Sequence, residues 1–347
     1  MRRTTSSLER RRRLWPPLVL ALVGLAGLTG WAALTGAGGV RYTGVARVEL
    51  PLPAAAPQRA SSDALPQGVA QTGAPRLDIT LTEAGPFGPL PRIGPDGRRP
   101  FLEYARPFNF EDDRPKVAIL VLGLGLEATL FDAALALPEP ISLQLSPYAP
   151  DLPALVERAR RAGHEVLLDL PMEPADYPAS DPGPHTLLAD SSGDENLERL
   201  NWLLARAPGY IAVAGGGARF AASANAGDVL DVLAKRGLAL IELGASRLQG
   251  AAAAAGLPYA STPPGLDQDD SVRSIDDALA GLETQALAGG SALGAIQAYP
   301  VSLERLRLWA ATLEDEGLVL APVSAVLVEQ AGLARGTNGW SARRRPT

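Results

Sequence analysis

The 347-residue chain predicts an α/β fold built on a barrel-like parallel sheet, and three observations carry that expectation. After Pro115 the sequence settles into short apolar runs at 117–122, 141–145, 165–170, 210–214, 238–243, 291–296 and 318–321, with little polar alternation, as strands buried on both faces require. Segments at 127–137, 153–162, 194–205, 225–236, 274–288 and 303–316 repeat apolar residues at helical spacing. The two kinds of segment alternate, which implies βαβ units with right-handed crossovers. Seven such units in about 215 residues suit a closed or nearly closed sheet, whose chemistry would gather at the C-terminal ends of the strands.

Each element ahead of that domain reads differently. Residues 1–13 hold six arginines and one glutamate, and 14–35 form an uncharged apolar segment flanked by Trp15 and Trp31. About 20 residues of helix cross a hydrocarbon core, and an arginine cluster stays on the cytoplasmic side. The segment therefore reads as a single transmembrane helix with the C-terminal bulk outside the cytoplasm. A cleaved signal peptide is the competing reading, weakened by the length of the apolar stretch. Residues 36–114 are rich in Pro, Gly and Ala and read as a disordered linker; only "RLDITLTEAG", 76–85, alternates enough to form a strand. The domain then spans 115–330, and 331–347 reads as a disordered basic tail.

Composition narrows the chemistry. A formal net charge of -6 gives no reason to expect a nucleic-acid partner. The absence of cysteine excludes disulfides and thiolate metal sites. With two histidines, His164 and His185, imidazole chemistry has few places to sit.

Two glycine clusters follow predicted strands. Gly123-Leu124-Gly125-Leu126-Glu127-Ala128 fits a G-x-G-x-x-A dinucleotide pattern, but the second strand ends in Ser146, Pro147 and Tyr148, without the acid that would hold a ribose. "YIAVAGGGARF", 210–220, lacks the Lys-Ser/Thr of a phosphate loop. Taken alone, both clusters read as tight corners.

The words "SPYAPDL", "AGHEVLL", "LPMEP", "DYP", "DPGPHTLL", "PGYIAV", "RF" and "LAPVSAV" recur in this order across 116–328, and through them the chain closely resembles the divergent polysaccharide deacetylase family, envelope proteins related to NodB-type deacetylases. The resemblance implies a distorted (β/α) barrel. In members with intact motifs it also implies a divalent metal, such as zinc, that activates water to remove an acyl group from a sugar.

The same comparison implies that the site has eroded. Where similar proteins place a pair of aspartates this chain has Leu122 and Gly123, and Asp169 stands in place of the histidine of an "HLPM" word. Gly215 replaces a metal-ligand histidine, Glu242 keeps an acid where Gly244 has lost an arginine, and Gln297 replaces a further histidine. Since leucine and glycine cannot ligate, no bound metal is expected and the domain reads as a non-catalytic binder of envelope polysaccharide, peptidoglycan or an envelope protein. The alternative is a hydrolase with altered acidic residues: Asp169 and Glu242 projecting from one barrel mouth as acid and base, with His185 or Asp267. Glu173 and Asp176 complete the set of acids. Tyr148, Tyr177 and Asp267 are candidates for contact with glycan, although aromatic residues and Met172 at such a mouth more often fill core. His164, after a helix-ending glycine, reads as a capping or backbone-bonded residue.

Overall fold

A computed structural model describes residues 77–330 together with 333–336 and 339–342. The expected basic tail at 1–13 and membrane helix at 14–35 lie outside these residues. No helix among the described residues is long and apolar enough to cross a membrane.

Residues 77–114, expected to continue the tether apart from a strand within 76–85, are folded onto the domain, and Thr82–Gly85 does form a strand. A 3-10 turn at Ile79–Leu81 leads into an antiparallel hairpin, β1 (Thr82–Gly85) and β2 (Gly88–Pro91), and then a short helix α1 (Pro100–Glu103). Leu81, Leu90, Phe101 and Tyr104 are buried. These few apolar residues are spaced too irregularly among prolines and glycines to show a period, yet each anchors the segment. Residues expected to form a disordered tail likewise contain a hairpin, β11 (Leu333–Gly336) with β12 (Gly339–Ala342).

The domain's sheet has eight strands, all paired in parallel: β3 (Lys116–Leu124), β4 (Ser142–Leu145), β5 (Val166–Asp169), β6 (Ala212–Gly215), β7 (Ala239–Leu243), β8 (Tyr259–Thr262), β9 (Ser291–Gln297) and β10 (Val319–Ala321). β3 is the hub. It pairs with β9 along one edge, and along the other with β10 at its start and β4 at its end. From β4 the order runs β5, β6, β7, β8. The crossovers carry α2 (Ala128–Ala134), α3 (Leu152–Arg161), α4 (Gly193–Leu204), α5 (Ala218–Ala221), α6 (Asn225–Lys235), α7 (Gln249–Ala255), α8 (Val272–Gly289) and α9 (Pro300–Ala310). A last helix, α10 (Val323–Gln330), follows β10. The period of the sequence missed β8, the one-turn α5, α7 and α10. β8 is a four-residue edge strand beside the near-featureless "QGAAAAA" of α7, and α10 is apolar on every side.

Alternation along the strands sorts side chains into two layers. Val117, Ile119 and Val121 of β3 face the helices, whereas Ala118, Leu120 and Leu122 face the interior. The interior is narrow and filled with small residues, including Ala212, Ala214, Ala239, Ala260 and Ala295. Among the described residues no ladder joins β8 to β9, and the loop after β8 bridges that seam instead. Leu266 N–H donates to Ala295 O at 2.8 Å, and the Asp267 carboxylate accepts from Gln297 N–H at 2.9 Å and Ser302 Oγ at 2.8 Å.

The opposite end is closed around Glu165, just before β5. Its buried carboxylate accepts from the backbone N–H of Arg106 (2.8 Å) and Ser324 (3.1 Å) and from the hydroxyls of Ser324 (2.5 Å) and Ser142 (3.4 Å). Ser142 also accepts from Val323 N–H at 3.2 Å, so the first turn of α10 is capped by two residues of the barrel. Burial raises the pKa of Glu165, opposed by these donors. Replacing Glu165 by alanine strands all four, and the variant is expected to lose about 3 kcal/mol or more in urea unfolding. A loss below about 1 kcal/mol would show that this closure is not needed.

Candidate functional site

The C-terminal ends of the strands form the mouth. Leu122 and Gln297 are register partners on the inner face of β3 and β9, Leu122 buried and Gln297 exposed. Gln144, a buried polar residue between Leu143 and Leu145, also faces inward. Its amide donates to Asp169 Oδ1 at 3.1 Å and Ala214 O at 2.9 Å, and its carbonyl oxygen accepts from Gly123 N–H at 3.2 Å. One side chain thus ties the ends of β3, β5 and β6 together. Sequence reasoning passed over Gln144; the signal was a lone amide inside the apolar run "ISLQL".

Asp169 keeps partial solvent access, but protein surrounds its carboxyl group. Desolvation pushes its pKa up to about 7, opposed by the backbone N–H of Leu170. Among the described residues it meets no cation within ion-pair distance, which fits that rise.

Asp169 and Glu242 do not form the expected pair. Asp169 is in register with Ala214, and Ala214 with Ile241, all on the inner face; Glu242 is one residue further along β7 and points to the other face. There it accepts from Arg247 N–H (3.1 Å), Leu248 N–H (2.9 Å) and Tyr259 OH (2.6 Å), so it orders the turn into α7.

The remaining positions do not fit a hydrolytic metal. Leu122 and Gly123 offer no donor, and Gly123 has φ +74°. A Cβ at Gly215 would lie 2.1 Å from the backbone oxygen of Leu170, so no side chain can be placed there without moving β5. Gly216 and Gly217 meet Leu243 O and Met172 equally closely, at 2.3 and 2.5 Å. The triple glycine is a close approach of backbones. Among the described residues no group of three or more His, Asp or Glu side chains is arranged to share a metal ion. The turn at Gly123 and Gly125 likewise serves geometry: both have positive φ, and a Cβ at Gly125 would come 2.9 Å from that of Ala149.

His185 lies apart from these residues, in the long loop between β5 and α4. Its ring stacks on Trp202 at 3.6 Å and 5°, and the Arg206 guanidinium covers Trp202 at 4.8 Å. Nδ1 is buried without a partner, which favours the neutral tautomer with its proton on Nε2. Burial, then Arg199 and Arg206, lower its pKa, and Glu198 opposes them. Tyr148 OH accepts from His185 N–H at 3.1 Å, and the Gly183 backbone lies so close to the tyrosine ring that a Cβ there would come within 2.6 Å. Tyr148 is therefore covered by the loop, and it bonds to that loop through its hydroxyl.

The other candidates make contacts within the fold. Tyr177 is half-buried in a turn, with its N–H on Pro174 O at 3.4 Å, and Asp176 accepts from Ser180 Oγ at 2.6 Å. Glu173 is buried, pairs with Arg219 at 3.0 Å and accepts from Ala189 N–H at 2.6 Å. Asp267 is the seam residue already described, and Met172 is core. His164 makes a backbone bond as expected, donating from Nδ1 to Ile141 O at 2.8 Å, with Nε2 3.4 Å from Leu135 O, and burial lowers its pKa.

The parallel sheet and its crossover helices define a distorted (β/α)-barrel domain. Residues 119–327 match the sequence profile described as Divergent polysaccharide deacetylase, more than half of the chain, and the chain belongs to that family. It is similar to the crystal structure of an uncharacterized protein from Agrobacterium tumefaciens at 35% identity and TM-score 0.66, covering 69% of this chain and 99% of that one. A proposed fructose-1,6-biphosphate aldolase from Coccidioides immitis aligns at 13% identity over 63% of this chain and 89% of that chain, with a TM-score of only 0.28. No curated protein matches the chain.

The pKa of Asp169 gives a signed prediction. Raised from 3.8 to about 7, the group holds a proton in the folded chain that the unfolded chain has released between those values. Its contribution to stability falls as pH rises through that window and is constant beyond it. At roughly 1.4 kcal/mol per unit, Asp169→Asn is expected to stabilise by up to a few kcal/mol at pH 8 and by little near pH 4. Equal shifts in urea midpoint at both pH values would show that Asp169 is not desolvated in this way.

Proposed function

We propose that the chain is a membrane-anchored envelope protein whose deacetylase-type domain binds polysaccharide without hydrolysing it. The observation that carries this reading is Gly215, where the Leu170 backbone oxygen occupies the space that a ligating side chain needs. Leu122, Gly123 and Gln297 support it, since three ligands and an exchangeable water position are the minimum for such a metal. The family match supports a polysaccharide as partner. The arginine cluster and apolar segment at 1–35 support a single-pass anchor, N-terminus inside, with the domain in the periplasm or outside the cell.

Asp169 favours a second reading, an acid-assisted hydrolase without metal. A carboxyl group titrating at about 7 is suited to general acid–base work. Against it, Glu242 faces away and supplies no partner.

The purified chain is expected to release no acetate from chito-oligosaccharides or peptidoglycan fragments, with or without zinc. The double variant Leu122→Asp, Gly123→Asp should remain inactive, because Gly215 and Gln297 still lack imidazoles. Zinc-dependent acetate release by either protein would overturn the non-catalytic reading, and metal-independent release that is lost in Asp169→Asn would establish the second one. On fractionation the intact chain should sediment with membranes, and removal of residues 1–35 should release it; a soluble intact chain would argue against the anchor.

A further inference from the structure

Away from the mouth, three elements converge on a cavity of about 340 Å³: the β1–β2 turn brings Phe87, the β5–α4 loop brings His185, and α4 presents Glu195, Glu198, Arg199 and Trp202. The four α4 residues share one helical face by their spacing. The hairpin is fixed to this helix: Gly88 packs so tightly that a Cβ would lie 3.1 Å from Ala205 O. No residue of the barrel mouth lines the cavity.

The wall is rigid and its polar groups are partly uncommitted. Trp202 is held between His185 and Arg206, which leaves its edge and the outer side of His185 to face a ligand. Glu198 meets no counter-ion among the described residues. Arg199 spends Nη1 on Ser191 Oγ (2.7 Å) and Asn196 Oδ1 (3.2 Å), and Glu195 uses Oε2 in the capping box with Ser192. Nη2 of Arg199, Oε1 of Glu195 and both oxygens of Glu198 therefore remain. Phe87, 44% exposed, supplies an apolar surface on the opposite element.

Apolar ring surface beside a carboxylate and a guanidinium matches a sugar, which has one C–H face and vicinal hydroxyls that both donate and accept. Two carboxylates disfavour a phosphate. The volume is at the low end for small-ligand sites of roughly 300–1,000 Å³, the size of one or two sugar rings. We infer that this cavity is a glycan subsite, with Phe87 and His185 against the sugar face and Glu198 and Arg199 on its hydroxyls. The inference rests on the proposed glycan binding but adds a second location for it.

Calorimetric titration of the full-length chain in detergent with chitopentaose tests both statements. Glu198→Gln, at an exposed position, and Arg199→Lys, which keeps the positive charge that neighbours Ser191 and Asn196, should each weaken binding about ten-fold, whereas Gln297→Ala at the mouth should leave this component intact. Wild-type affinity in both cavity variants, with loss in Gln297→Ala, would overturn the subsite while keeping glycan binding at the mouth. No heat with chitopentaose or with peptidoglycan fragments in the wild type would overturn both.

Discussion

The barrel depends on a single buried carboxylate. An eight-stranded parallel sheet in which, among the described residues, no ladder joins β8 to β9 must close its interior by other means, and α10 does so from below. Val323, Val326 and Leu327 of that helix join the inner core with Ala118, Leu120 and Leu167. An apolar helix end carries unsatisfied N–H groups, which are costly inside a protein. Glu165 and Ser142 meet them, and the same carboxylate takes the N–H of Arg106, so the segment entering the domain and the helix leaving it are bound to one point. At the other end Asp267 performs a related task across the seam. Both acids are structural, and each replaces backbone pairing that a closed barrel would supply by itself.

How much of this was legible in the sequence follows from what each residue reports. Apolar strands buried on both faces leave a strong mark, so seven of the eight barrel strands and the longer crossover helices were readable, and the family words sharpened the barrel. The hairpin β1–β2 was legible only at its first strand, within the alternating 76–85, because the rest hangs on Leu90 among prolines and glycines. Side-chain direction was also hidden. Asp169 and Glu242 both end strands, and only the register shows that they lie on opposite faces, since one residue's offset reverses the side chain. Trp202 looked like one apolar position of a helix; its stacking on His185, seventeen residues earlier in the chain, depends on how the intervening loop folds back.

The family words take on a physical meaning once placed. "LPMEP" and "RF" meet as the ion pair of buried Glu173 with exposed Arg219, and the Glu173 carbonyl also accepts from the N–H groups of Arg219 and Phe220. "SPYAPDL" and "DPGPHTLL" meet where Gly183 and the His185 N–H pack on Tyr148. These words hold the long loop between β5 and α4 against the barrel. They describe a scaffold, and their retention does not require that chemistry be retained.

The mouth shows at atomic scale what stands at those strand ends. A working ligand set needs room and polarity at the ends of β3, β6 and β9, and this chain has filled each in a different way. At β3 a buried leucine completes the apolar interior; at β6 backbone closes on backbone until no Cβ fits; at β9 an amide takes the rim. Gln144 then satisfies what polar backbone remains, by bonding to Gly123, Ala214 and Asp169. Gln144 thereby satisfies the ends of β3, β5 and β6 without an ion, whereas Thr262 Oγ1 at the end of β8 stays buried without a partner among the described residues. Asp169 is the exception in charge. It receives one amide and one backbone donor but no cation, so its cost in the ionised state persists unless a ligand brings a donor to it. A sugar hydroxyl or acetamido N–H could supply that donor, which gives the proposed binding function a physical foothold at the position where similar proteins carry an imidazole.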